Sequence, residues 1–270
     1  MRPPPQRFAP SLDRSRPTRL ARIGGMVWVP VLSVLGFVAF WAVLAAMMAD
    51  PRTLPSPWAV AQVVATEAVS GRLGLHVWAT LVRVSVAFVL AMILGTALGI
   101  TLGQSPRLDR WTAPWITIFL NIPALVIIVL CYLWIGLNEV AAITAVTLNK
   151  AAMVLVTLRE GTRALDPRLA EMARVYRVPP MARLRHWILP QLAPYIASAA
   201  RNGLSVIWKI VLVVEFLGRS NGVGFQIHLK FQLFDIASVL AYAMAFVLAM
   251  LVIDQGLIQP LERRANRWRA

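Results

Sequence analysis

Six ionisable side chains interrupt long apolar runs in this 270-residue chain: Arg83, Lys150, Arg201, Lys209, Glu215 and Asp254. A charge inside a membrane costs about 2.5–3.5 kcal/mol at mid-span on insertion scales, and by default it marks a functional site. Lys150 and Arg201 are the least able to reach either surface. Lys209 lies in the outer half of its run, and Arg83 is close enough to the outer end to snorkel. Glu215 follows Arg201 by close to four helical turns, which puts them on one face but about 21 Å apart. Lys209 and Glu215 fall on different faces. Four cations against two carboxylates leave a positive surplus. That favours an anionic solute, because a cation path would more naturally collect carboxylates. Lys150, Arg201, Lys209 and Glu215 are the candidate residues of a path.

Other arrangements that carry chemistry are missing from the sequence. It has no G-x-x-x-x-G-K-S/T loop to cradle a nucleotide phosphate, no G-x-S-x-G elbow and no H-E-x-x-H. His76, His186 and His228 are far apart and have no second ligand at metal spacing, so no metal site is expected. Cys131, the single cysteine, excludes an intrachain disulfide and reads as a small core residue. Gly218, Gly222 and Gly224 lack a strand-to-helix context and read as a plain external loop. An intramembrane enzyme would need a nucleophile–base or metal set, and none is visible. Neither catalysis nor a cofactor is expected.

The elements that must position these charges follow from composition. The chain is 59% hydrophobic and 14% charged, with a mean hydropathy of +0.67. An average soluble domain carries about 25% charged residues, so too few polar side chains remain here to cover a water-facing surface. The class is an all-α polytopic membrane protein. Residues 26–49 carry no charge and are long enough to span, since about 20 apolar residues suffice. A secretory leader would have an apolar core of only about 7–15, so this run reads as an anchor. Further spans are expected at 77–103, 111–138, 140–158, 190–217 and 236–258. Six spans place both termini on one side.

The net charge of +15 raises the question of a nucleic-acid partner. The distribution of Lys and Arg removes it. Nineteen fall on the side of the termini: six in 1–24, two in 104–113, seven in 159–189 and four in 259–270. Arg52, Arg72, Arg219 and Lys230 are the four on the other side. Positive residues gather in cytoplasmic loops, so both termini are expected in the cytoplasm. The expected organisation is a disordered basic tail at 1–24, rich in Pro and Arg, a six-span domain at 25–258, and a basic tail at 259–270. Outside, residues 58–69 suggest a helix lying on the surface. Gly95, Gly99 and Gly103 stack on one helix face, where small residues let two helices approach closely.

The most specific stretch is the cytoplasmic loop 159–189. Asp166 suits an N-cap and Pro167 the first helical position, so a helix is expected from Pro167 to about Tyr176. A break at Pro179-Pro180 and a second short helix follow. Two such protruding helices form a protein-docking surface.

This stretch resembles the Glu-Ala-Ala loop, E-A-A-x3-G-x9-I-x-L-P, of binding-protein-dependent ABC importer permeases. Glu171 takes the glutamate place, Ala173 the second alanine, and Leu189-Pro190 the end, all at the family spacing. Met172, Arg177 and Trp187 replace the first alanine, the glycine and the isoleucine. The glycine allows a left-handed turn, which Arg177 would adopt at a cost of about 1–2 kcal/mol. Either the turn is remodelled through Pro179-Pro180 or docking is altered. The segments LPSP, TLVRVSVAF, ILGTALGITLG, VEFLGRSNGVGFQI and PLERRANRWR resemble the nitrate, sulfonate, taurine and bicarbonate branch of these permeases, covering about residues 54–268. Arg201 and Glu215 match positions of that family.

The resemblance implies the type I ABC importer permease fold and a mechanism shared among several chains. A second permease copy would complete the pore in the inner membrane. Two cytoplasmic ATPase subunits would dock on the loop carrying Glu171, Ala173, Arg177, Leu189 and Pro190, and a periplasmic binding protein would deliver a small solute. The competing reading is an ion-coupled secondary transporter, with Lys150, Glu215 and Asp254 as a relay.

Overall fold

The computed structural model describes residues 28–258, and the two basic tails expected at 1–24 and 259–270 lie outside the described residues. The chain divides into two units, 1–49 and 50–270. The first contributes α1 (Trp28–Met48), an uncharged 21-residue helix, about 31 Å long and sufficient to cross a hydrocarbon core.

The second unit holds α2 (Pro57–Val69), α3 (Arg72–Gln104), α4 (Pro106–Asn121), α5 (Ala124–Ile135), α6 (Glu139–Arg163), α7 (Pro167–Val175), α8 (Pro180–Arg183), α9 (Leu189–Gly218), α10 (Val223–Gln232) and α11 (Ile236–Ile253). A π turn, Leu184–Ile188, joins α8 to α9. Its core is built from α3, α5, α6, α9 and α11, with Val84, Ile128, Ala142, Ile207, Val211 and Tyr242 packed together. The expected surface helix is α2: Ser56 caps it by accepting from the Ala59 N–H, and Pro57 occupies its first turn. Buried Val60 fixes its inner face, and the Tyr242 hydroxyl on α11 donates to Glu67 Oε2 at 2.8 Å.

The glycine stripe of α3 packs against α6. A Cβ at Gly95 would lie 2.5 Å from the Val154 Cβ, one at Gly99 2.7 Å from the Leu158 Cβ, and one at Gly103 2.5 Å from the Thr162 Cβ. All three are inside van der Waals contact, so the absent side chains set the distance between the α3 and α6 backbones. Where lipid offers no hydrophobic incentive for helices to associate, such close packing supplies the attraction.

Among the described residues, five helices are long and apolar enough to cross a membrane, and α4 with α5 makes six if the pair counts as one span. That pair corrects the expectation of a continuous span at 111–138. The chain bends by 96° between α4 and α5. Pro123 is the reason: it has no N–H to continue the helix and excludes Ile122 from the helical region, leaving it at φ −71°, ψ 124°. A second correction concerns the glycine-bearing segment after α9. Instead of a plain loop it contains α10, entered at Gly222 with φ +108°.

Candidate functional site

Two ends of the bundle are distinguished by what they carry, one by α10 and the other by α7. At the α10 end the charges are interlocked. Arg83 on α3 donates Nε to Glu139 Oε2 at 2.8 Å and Nη2 to Glu139 Oε1 at 2.6 Å, a bidentate pair with the first residue of α6. Its Nη1 donates to Glu215 Oε1 on α9 at 2.5 Å and to the Asn221 carbonyl at 3.0 Å. Nη2 also meets Asn221 Oδ1. Arg219 joins from the end of α9, 2.8 Å from Glu139 Oε1. The second oxygen of Glu215 accepts from Thr80 Oγ1 and the Gly224 N–H, each at 2.9 Å.

This geometry corrects the expectation that Arg83 snorkels. Arg83 is only 4% exposed and Glu215 is 0% exposed. Glu215, a candidate path residue by sequence, has both oxygens taken up in the cluster. The glycines explain themselves here. A Cβ at Gly222 would strike the Glu215 carboxylate, and one at Gly224 the Leu212 carbonyl. The Gly224 N–H serves that cluster, and the Gly222 N–H donates to His76 Nδ1 at 3.1 Å. A ring nitrogen that accepts leaves Nε2 to carry the proton, and for Nε2, 2.7 Å from the Gln226 side-chain nitrogen, to donate there the amide must be turned to present its oxygen.

Deeper in the bundle the charges are handled differently. Lys150 is 1% exposed. It sits eleven residues from Glu139 and thirteen from Arg163 on α6, about 16 Å and 20 Å along the axis. Its one hydrogen-bond partner among the described residues is the Met153 sulfur at 3.8 Å. The stem lies over Gly203 of α9, where a Cβ would be 2.7 Å from Lys150 Cε. Lys150 lines a cavity of about 290 Å³ with Leu120, Met153, Thr157, Ala199 and Asn202. Arg201 and Lys209 line a larger cleft of about 740 Å³ between α9 and α11, together with Asn202, Trp208 and Asp254. The Trp208 indole N–H is buried without an acceptor among the described residues. The structure thus brings Arg201 and Lys209 to one cleft, sets Lys150 in an adjoining cavity, and places Glu215 apart from both.

The α7 end carries the docking stretch. Asp166 Oδ1 caps α7 by accepting from the Arg168 N–H at 2.9 Å, and Pro167 fills the first turn as expected. Arg177 has φ +50°. The Val178 N–H reaches the Ala173 carbonyl at 2.9 Å and the Arg177 N–H reaches Arg174 at 3.1 Å. These two bonds are the Schellman termination, whose left-handed position is usually glycine. The turn is therefore kept with Arg177 bearing the conformational cost, and Pro179-Pro180 only starts the next helix. Glu171 is exposed, as are Met172, Val175, Tyr176 and Met181 around it, while Ala173 is buried. Leu189 and Pro190 open α9. Nearby, Asp109 of α4 holds Arg159 at 3.2 Å and also Arg163, both on α6.

Sequence reasoning missed Glu139, Asn221 and Asp109. The available signal was position: Glu139 and Asp109 each stand at the mouth of an apolar run, where a carboxylate can reach a neighbouring helix.

A bundle of helices long and apolar enough to cross a membrane, with a cleft lined by Arg201, Lys209 and Asp254 and an exposed helical pair at one end, suits a membrane transport subunit. Residues 87–264 match the family described as binding-protein-dependent transport system inner membrane component, and the chain belongs to that family. It is similar to the putative aliphatic sulfonates transport permease SsuC of Bacillus subtilis, with 28% identity over 95% of this chain and 92% of that protein. It also resembles the taurine transport system permease TauC of Escherichia coli, at 26% over 89% and 88%. The bicarbonate transport system permease CmpB of Synechocystis is 22% identical over 86% and 87%. The fold is that of the inward-facing MetNI methionine ABC transporter, with a TM-score of 0.61 and 20% identity over 74% of this chain and 99% of that one. The chain is thus a multi-pass inner-membrane permease of an ABC importer. It is not itself an enzyme, and its system includes a separate ATPase and a binding protein.

Proposed function

We propose that this permease carries a small organic or inorganic anion, of the sulfonate, nitrate or bicarbonate kind, inward across the membrane as a homodimer driven by two docked ATPase subunits. A periplasmic binding protein delivers the solute at the α10 end. The α7 end and both termini face the cytoplasm, in keeping with the placement of nineteen Lys and Arg residues there. The six-span domain covers 25–258, with tails at 1–24 and 259–270. The relatives named for sulfonates, taurine and bicarbonate support the anion class. So does the charge balance. Once Arg83 and Glu215 neutralise one another, Lys150, Arg201 and Lys209 remain against Asp254.

The observation that carries the coupling is the α7–α8 pair. Glu171 stands exposed on α7 with Met172, Val175 and Tyr176, and Met181 on α8 is exposed as well; a carboxylate beside exposed apolar side chains suits a protein contact. Ala173 and the Arg177 turn shape the end of α7, and Leu189-Pro190 ties it to α9. Glu171→Lys should leave the permease inserted while at least halving the ATPase recovered with it. Normal recovery and normal uptake in that variant would sink the docking assignment. Uptake by the wild-type chain with no ATPase present would favour an ion-coupled carrier instead.

A further inference from the structure

Lys150 stands out because its surroundings are shaped for its cation and supply no counter-charge. Its stem lies over Gly203, where the lack of a Cβ leaves room for Lys150 Cε. Among the described residues, no carboxylate lines its cavity. The walls are otherwise mostly apolar: Leu120 from α4, Met153, Val154 and Val156 from α6, and Ala199 from α9. Two polar groups complete them. Thr157 has already committed its hydroxyl proton to the Met153 carbonyl at 3.0 Å, while Asn202 is exposed. Asn202 also belongs to the lining of the cleft that holds Arg201 and Lys209. An ammonium offers three donors and no acceptor, and burial of a charge is tolerated when a partner completes it.

We propose that the Lys150 cavity is an anion subsite at mid-membrane depth, taking the charged head of a small sulfonate- or carboxylate-class solute, and that Asn202 receives this head from the Arg201–Lys209 cleft. The inference rests on the importer reading and deepens it. The solute places its negative oxygens on Lys150 Nζ, with the Asn202 amide as a second donor. A cavity of about 290 Å³ admits a headgroup with a short tail, and the absence of a carboxylate in its walls rejects ammonium solutes by leaving them facing Lys150. The two chambers meeting at Asn202 give one solute two successive positions on α9.

The test uses reagents of similar size and opposite charge on the complete transporter reconstituted with its ATPase. Cysteine is placed at Asn202 after Cys131→Ala. Its modification rates by 2-sulfonatoethyl methanethiosulfonate and by the 2-trimethylammonioethyl reagent are compared, with and without ATP. With Lys150 present, the ratio should favour the anionic reagent by about tenfold or more, since a unit charge a few ångström away is strong even at an effective dielectric of about 20. Lys150→Arg should keep that preference and Lys150→Met should abolish it. A preference unchanged in Lys150→Met, no preference in the parent, or a cysteine unreactive to both reagents with and without ATP overturns the subsite. Co-recovery of the ATPase in the same preparations reports on the importer reading separately, so the two can fail independently.

Discussion

The α10 end and the middle of the bundle receive the same kinds of residue and treat them in opposite ways. At the α10 end two arginines meet two glutamates, and Arg83 and Glu215 bridge helices α3 and α9 through side chains almost wholly withdrawn from solvent. In the middle, Lys150 has a sulfur atom for company and an open cavity beside it. Arg83 and Glu215 are completed by the chain itself and hold helices together. Lys150 is completed by nothing in the described chain, which leaves its capacity for a passenger. Burial alone does not distinguish the roles; the number of partners does.

The largest effect is expected from breaking the completed cluster. Removing one member of a buried pair leaves the other uncompensated, at about 3–5 kcal/mol. Glu215→Gln and Arg83→Met should each lower the thermal unfolding temperature of the purified permease sharply and reduce its yield. Arg83→Met with Glu215→Gln should lose clearly less than the sum of the two single changes, because the charged pair disappears together. Simple additivity would show that the two side chains act independently.

Close packing between α3 and α6 comes next. Gly99→Val inserts a branched side chain where a Cβ already lies 2.7 Å from Leu158. Overpacking of this kind costs about 1–3 kcal/mol, read as a loss of thermal stability with residual insertion. Gly74→Val on the same helix, where a Cβ meets nothing within 4 Å, is the control and should be well tolerated.

The smallest change sharpens the docking region. Arg177→Gly removes the left-handed strain, worth about 1–2 kcal/mol. It should raise stability modestly, with ATPase recovery and coupling retained. Loss of coupling would reveal that the Arg177 side chain itself touches the ATPase.

The parts of this picture legible in sequence were local. Asp166 and Pro167 announced α7 because capping depends on adjacent residues, and the glycine spacing of α3 announced a close approach because one helix face shows it. The cluster at the α10 end was not legible. Arg83 and Glu215 are 132 positions apart, and snorkelling was the sensible expectation for an arginine seen only within its own helix. The bend at Pro123 was within reach of local reasoning, but the unbroken apolar run from 111 to 138 masked it. The glycines at 222 and 224 looked like loop residues because the carboxylate they make room for comes from α9. Arg177 shows the reverse case: the turn is kept, and the residue yields to it.

The most direct test of the contrast sets Lys150→Met beside Glu215→Gln in the reconstituted transporter, measuring thermal stability and ATP-driven uptake of labelled ethanesulfonate, nitrate and bicarbonate together. A buried charge with no counter-charge costs the fold its lost hydration, and an apolar side chain of similar length removes that cost. Lys150→Met should therefore unfold at or above the wild-type temperature, keep its ATPase, and lose at least about tenfold in uptake of whichever anion the wild type carries, while Glu215→Gln loses stability first. Lys150→Met as unstable as Glu215→Gln, or stable with wild-type uptake, would contradict the division between a structural cluster and a path.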